Sequence, residues 1–131
     1  MKMKPGPETE LSRRERQILD VLYRLGKASA AEIREALSNP PTYTAVRTHL
    51  ANLQEKGQVE VESDGVRYIY EPTVPRQEMA ATMIDNVMKN FFENKIELVV
   101  TTLINREESQ ISQDQLDRLA RIIEEARKAG L

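Results

Sequence analysis

The stretch PPTYTAVRTHLANLQEKG, Pro40–Gly57, reads as a helix with marked ends. Pro40 and Pro41 close off what precedes it, Thr42 is a candidate N-cap, and Gly57 stops it. Val46, Leu50 and Leu53 recur at i, i+4 and i+7, which makes one apolar stripe at about 100° per residue. The opposite side carries Thr44, Thr48, Ala51 and Glu55, with Arg47 and Asn52 on its flanks. A merely solvated face would mix lysine and glutamate; this one offers small, hydrogen-bonding groups and a single arginine. Such a crest suits a helix that enters a groove about 12 Å wide. Threonine methyls can meet thymine methyls, hydroxyls can bond bases or phosphates, and an arginine can fork onto guanine O6 and N7.

Upstream, Ser12-Arg-Arg-Glu15 has the form of a capping box, followed by a helical stripe at Ile18, Leu19, Val21, Leu22 and Leu25 and a stop at Gly26. Ser29-Ala-Ala-Glu32 repeats the signal for a short helix ending before Asn39-Pro40-Pro41. Downstream, Val59 and Val61 alternate with charged residues, and Asp64-Gly65 predicts a two-residue hairpin turn. In the return strand either Val66, Tyr68 and Tyr70 or Arg67 and Ile69 share a face. Beyond Pro75 the pattern is helical again. Ala80, Ile84, Val87, Met88 and Phe91 form one stripe, Ile96, Val99, Val100 and Leu103 a second, and Leu116, Leu119, Ile122, Ile123 and Ala126 a third capped by Ser112.

Three helices, a hairpin and three helices predict a mainly α chain with a small β-hairpin. The expected fold is a winged helix-turn-helix followed by a helical dimerisation region. The expected organisation is a flexible arm at 1–10, with Lys2 and Lys4 free to reach an anion, a DNA-binding domain at 11–75 and a dimerisation domain at 76–131. In a winged helix-turn-helix the second helix of the motif enters the major groove. The DNA-contacting residues expected are Thr42, Tyr43, Thr44, Arg47 and Thr48 on the third helix, Arg13 and Arg14 at the start of the first, and Arg67 and Tyr68 on the wing. Arg16 joins the arginine cluster at the first helix, where free N–H groups and the dipole favour a phosphate. Tyr43 can serve a phosphate contact or simple packing. Tyr68 and Tyr70 read as packing between wing and body, with a phosphate contact open to Tyr68.

Charge does not make this case alone. The 131 residues hold 19 Lys+Arg and 21 Asp+Glu, a formal net charge of −2. Residues 1–72 hold 11 basic and 11 acidic side chains, and residues 73–131 hold 8 and 10. A duplex-binding chain of this balance must place its cations locally. There is no cysteine, which excludes disulfides, a thiol nucleophile and thiolate metal sites. His49 is the one histidine and sits near the core side of its helix, so packing or an ordinary hydrogen bond is its expected role. No nucleophile–base pair, metal cluster or phosphate loop is present, so no cofactor and no enzymatic function are expected. The N-terminus has no signal-peptide pattern and no run suits a membrane span, so the chain reads as cytoplasmic. Glu107-Glu108 reads as a solvated loop.

The C-terminal stripes are too apolar for an isolated appendage. Met83, Ile84, Val87, Met88, Phe91, Leu103, Leu119, Ile122 and Ile123 are therefore the expected dimer interface. A winged-helix module that docks a protein instead of DNA is the competing reading, and a ligand-gated sensor using the Met/Phe helices is a third.

LSRRERQILDVLY, ASAAEIREAL, PPTYTAVRTHLANLQEKGQVEVE and GVRYIYEP together closely resemble the penicillinase-repressor (BlaI/MecI/CopY) family of winged-helix transcriptional repressors. The match continues more loosely through PRQEMA, NFFENKIELVVTTLI and ISQDQLDRLARIIEEA. The resemblance implies a homodimer on a palindromic double-stranded DNA operator, upstream of resistance or transport genes. It also implies a regulatory protease as a further partner. Two departures stand out. Copper-sensing members carry a C-terminal cysteine cluster that this chain lacks. Members inactivated by proteolysis are cut at an Asn-Phe bond in the fifth helix, and the aligned position here reads Thr101-Thr102. Asn90-Phe91 falls instead in the fourth helix, within its apolar stripe.

Overall fold

Three serines open helices by the same device in the computed structural model, which describes residues 10–106 and 110–130. Ser12, Ser29 and Ser112 each accept the backbone N–H of the third helical residue, and Glu15, Glu32 and Gln115 accept the serine N–H in return. These boxes satisfy donors that a helix start leaves unpaired. The helices are α1 Arg13–Leu25, α2 Ala30–Ala36, α3 Tyr43–Glu55, α4 Arg76–Phe91, α5 Ile96–Asn105 and α6 Gln113–Lys128. The expected arm up to residue 9, with Lys2 and Lys4, and the Glu107-Glu108 loop lie outside the described residues.

The expected hairpin is part of a three-stranded antiparallel sheet. β1 Ala28–Ser29, β2 Val59–Ser63 and β3 Tyr68–Pro72 lie in the order β1-β3-β2. Val61 stands opposite Tyr70, Ser63 opposite Tyr68, and on the far edge Ala28 pairs with Tyr70 and Ser29 with Ile69. The turn is one residue later than Asp64-Gly65. Asp64 N–H donates to the Arg67 carbonyl at 3.1 Å, which leaves Gly65 and Val66 as the two central residues. Gly65 has φ 94°, at the place where II′ turns favour glycine. The Asp64 carboxylate explains the shift: its Oδ1 accepts Val66 N–H at 3.0 Å and Arg67 N–H at 2.8 Å, so it folds the loop over itself. Val66 is therefore a turn residue, almost fully exposed, and not a member of the strand face with Tyr68 and Tyr70.

Met1–Asp85 and Asn86–Leu131 form two compact units, with the division inside α4. In the first, Ile18, Leu19 and Leu22 of α1, Ile33 of α2, Val46, Leu50 and Leu53 of α3, Val59 and Tyr70 make one buried cluster. Three short helices bury little apolar area unaided, and the sheet closes the open side. Tyr23 Oη donates to the Val74 carbonyl at 2.8 Å, and an Arg76 to Tyr23 carbonyl hydrogen bond anchors the start of α4. In the second unit, α5 and α6 contain no buried residue among those described. Glu93 (φ 53°) and Asn94 (φ 58°) lead from α4 to α5 in left-handed backbone.

Candidate nucleic-acid interface

α3 is held at both ends. At its start the Thr42 hydroxyl oxygen accepts Ala45 N–H at 3.1 Å, so its own proton remains available to a phosphate oxygen. The α2–α3 connection is fixed from behind, where Arg34 Nε donates to the Pro41 carbonyl at 2.7 Å, and Asn39 takes the left-handed turn at φ 48°. At the far end Gln58 N–H donates to the Leu53 carbonyl at 2.9 Å. Thr73 binds the same corner from beyond the wing, through its hydroxyl to the Gly57 carbonyl at 2.6 Å and its N–H to the Gln58 carbonyl at 3.0 Å. α3 and the hairpin are thereby set against each other at their shared base.

Lys56 adds a charged tie between α3 and α1. Its Nζ lies 2.6 Å from Glu15 Oε1 and 3.3 Å from the Glu10 carbonyl. Glu15 is 4% exposed. Burial pushes its carboxyl up, but the Lys56 hydrogen bond, the Ser12 N–H and the charges of Lys56 and His49 outweigh this and hold it below its ordinary value of 4.5. A depressed carboxyl stabilises the fold above the unfolded pKa and loses that contribution as pH falls through the folded one. Glu15→Gln keeps the cap, since Gln115 does the same work in α6, but removes the charge. Chemical denaturation at pH 7 should show a loss of about 1–2 kcal/mol, the small end for a charged hydrogen bond because Lys56 is partly solvated. The difference from the parent should shrink below about pH 4.5 and vanish in stronger acid.

Apart from Thr42 at the start of α3, the expected contact residues divide into three places. Tyr43, Thr44, Arg47, Thr48 and Tyr68 come together around one cleft between α3 and β3, with Ala51, Gln54, Val61 and Tyr70 completing its walls. Arg47 is exposed and makes no ion pair among the described residues. Thr48 Oγ1 donates to the Thr44 carbonyl at 3.0 Å, so it offers a methyl and acceptor capacity, suited to a base amino group more than to a phosphate. Tyr68 is 55% exposed on the cleft wall, whereas Tyr70 is buried in the core; the expectation of wing-to-body packing holds for Tyr70 alone.

Arg13 and Arg14 share a second hollow with Gln17, Ser38 and Asn39, beside the α2–α3 connection. Arg14 Nη1 donates to Gln17 Oε1 at 2.9 Å. Arg16 does not line this hollow; its charge acts on Asp20 and Tyr23, further along α1. Arg67 lies in a third place, lined by Glu32, Glu60, Glu62, Asp64 and Glu71 together with Lys27 and Ile69. It is not brought to the Arg47 cleft. His49 is half-buried and its Nδ1 has no hydrogen-bond partner among the described residues. No group of three or more His, Cys, Asp or Glu side chains could hold a metal ion among the described residues. Sequence spacing alone does not reveal the Glu15–Lys56 tie, the enclosure of Arg67 or Gln54 in the cleft; each depends on residues brought together from distant elements.

Comparison with known proteins gives this geometry a context. The family model described as Penicillinase repressor matches residues 11–125. No curated protein matches significantly. The solved complex structure of hsRosR-S4 is 17% identical, with 95% of this chain and 96% of that chain covered at a TM-score of 0.54, which shows a shared fold. The solution structure of the DNA-binding domain of the repressor BlaI is 22% identical, with 58% of this chain and 93% of that one covered at a TM-score of 0.48. Bordetella bronchiseptica BpsR, whose DNA binding is described as regulated by 6-hydroxynicotinic acid, is 13% identical, with 94% and 79% covered at a TM-score of 0.47.

Proposed function

The chain belongs to the penicillinase-repressor family and is a DNA-binding transcriptional regulator, and from that premise we propose that it represses as a homodimer on palindromic operators. The observation that carries this reading is the α3–β3 cleft, where Arg47, with no ion pair among the described residues, and the small crest of α3 stand open beside the exposed Tyr68. Arg47 reads a guanine edge; Thr44 and Thr48 supply methyls and acceptors. Thr42 and Tyr43 at the start of the helix, Arg13 and Arg14, and Tyr68 hold the flanking phosphates. Phosphate contacts fix register, and the base contacts carry sequence preference. Family membership supports the reading as a regulator.

The dimer rests on the exposed apolar surface of the last three helices. Phe91 is 78% exposed, Ile84 63%, Ile122 62% and Ile123 55%, and Val87, Leu103 and Leu119 are also largely open. Met83 stands at the edge of exposure and Met88 is half-buried. A twofold partner would cover this surface and match the symmetry of a palindrome. The α5 site aligned with the family's cleaved bond, Thr101-Thr102, has both hydroxyls bonded to its own helix, to the Glu97 and Leu98 carbonyls. Release of DNA by cleavage there is not expected, and fragments mapped by mass spectrometry after incubation with inducer-treated membranes would reveal a cut.

A gel shift on the chain's own upstream region, with unrelated competitor DNA, tests the proposal: a retarded band that survives competitor is expected. Arg13→Ala should weaken operator and random-sequence binding alike and lower the salt-dependence slope by about 0.9 for each phosphate that the side chain no longer neutralises. An unchanged slope in a salt titration would remove Arg13 from the interface.

A further inference from the structure

We propose that Glu32 restrains the wing arginine, acting as a positioning residue that keeps DNA affinity below what the cations of this chain would otherwise give. The inference rests on the DNA-binding reading and concerns a residue outside the α3 cleft. Arg67 Nη1 lies 3.3 Å from Glu32 Oε1, and Arg67 Nε lies 3.4 Å from Asp64 Oδ2. One guanidinium thus faces two carboxylates, so the local charge is net negative where a wing would meet the backbone of a duplex.

The two acids are not free to follow the arginine outward. Glu32 Oε1 also accepts Ser29 N–H at 3.0 Å as half of the α2 capping box. Asp64 Oδ1 accepts the two turn amides of Val66 and Arg67. These hydrogen bonds keep both groups in their charged form: the Ser29 backbone and hydroxyl lower Glu32, and the Arg67 and Val66 backbone amides lower Asp64. Arg67 must therefore leave its partners to reach a phosphate. It would leave from a hollow in which Glu60, Glu62 and Glu71 add three more negative charges against the one positive charge of Lys27, with Glu60 and Glu71 directly opposite each other in the sheet. This face of the sheet repels a duplex, while the opposite face, with Tyr68, borders the α3 cleft. Arg67 is half-exposed, so each ion pair is weak and the restraint is modest.

Glu32→Gln separates charge from structure. Glutamine serves the same third position of the capping box in α6, where Gln115 Oε1 accepts Ser112 N–H at 2.8 Å, so α2 should keep its cap while Arg67 loses one partner. Binding of the intact chain and of Glu32→Gln to its upstream duplex and to a random-sequence duplex should be followed by fluorescence anisotropy across a salt series. The expected result is about a three- to tenfold gain in affinity on both duplexes, with a steeper salt dependence from the added phosphate contact. In an Arg67→Gln background the gain should disappear. Asp64→Asn, which keeps an oxygen for the turn amides, should give a gain in the same direction. A gain that survives without Arg67 would reflect simple loss of a negative charge and overturns the restraint. Weaker binding by Glu32→Gln would mean that Glu32 directs Arg67 toward DNA, and also overturns it. If the parent binds and Glu32→Gln matches it, the restraint alone falls; if the parent binds neither duplex, the DNA-binding reading falls with it.

Discussion

A chain ending at Asp85 should bind a full palindrome about 10²- to 10⁴-fold more weakly than the intact chain, while its affinity for a single half-site stays close to the parent's. The buried cluster that supports α3 and the sheet lies within the first unit, and Met79 is the buried residue of α4. A cut after Asp85 therefore keeps Met79 and the Arg76 hydrogen bond to Tyr23, and leaves the reading head folded. What it removes is Val87, Met88, Phe91, Leu103, Leu119, Ile122 and Ile123. Without them the second head has to bind from bulk solution, without the effective concentration that a linked partner supplies. Light scattering should give a dimer for the intact chain and a monomer for the shortened one at tens of micromolar. Equal affinity of the two chains for the palindrome would show that the heads are not coupled through these helices.

Arg47→Ala should be the most damaging single substitution for sequence preference. A bidentate arginine–guanine contact contributes about 1–3 kcal/mol, and a twofold operator contains it twice. The fall in affinity on a full site should therefore reach at least about thirtyfold, and a base-substitution series should become flatter at the guanine it reads. Circular dichroism should be unaltered, because the Arg47 side chain is exposed and makes no ion pair among the described residues. Unchanged affinity and unchanged preference would move the reading face away from this side of α3.

The elements are legible where a local rule specifies them. Two capping boxes, the i, i+4, i+7 stripe of α3 and the glycine stops define the helices to within a residue or so, because capping and periodicity act over one or two turns. The differences arise where contacts distant in sequence, or side-chain bonds that a pattern rule does not weigh, decide. Ala28–Ser29 is too short to show alternation, and Ser29 by itself reads as a cap; only pairing with Ile69 and Tyr70 makes it a strand. The turn moves by one residue because the Asp64 side chain supplies hydrogen bonds that a dipeptide rule does not weigh. The face of α3 can be drawn on a wheel and is open as expected. The surroundings of Arg67 cannot, since Glu32 lies 35 positions away and a charge pattern in sequence does not say which acid an arginine meets.

Ser29 belongs to two structures at once. It pairs with Ile69 at the edge of the sheet, and its hydroxyl caps α2. In mechanical terms the wing and the helix-turn-helix share a rivet. Tilting the hairpin would drag the first turn of α2, and with it the Arg34 bond that fixes the approach to α3. The hairpin and the start of α2 are thus tied at one residue. If the proposed dimer forms, an inducer that acts on this regulator has little to gain by bending it there, and more by altering what would join one copy to the next.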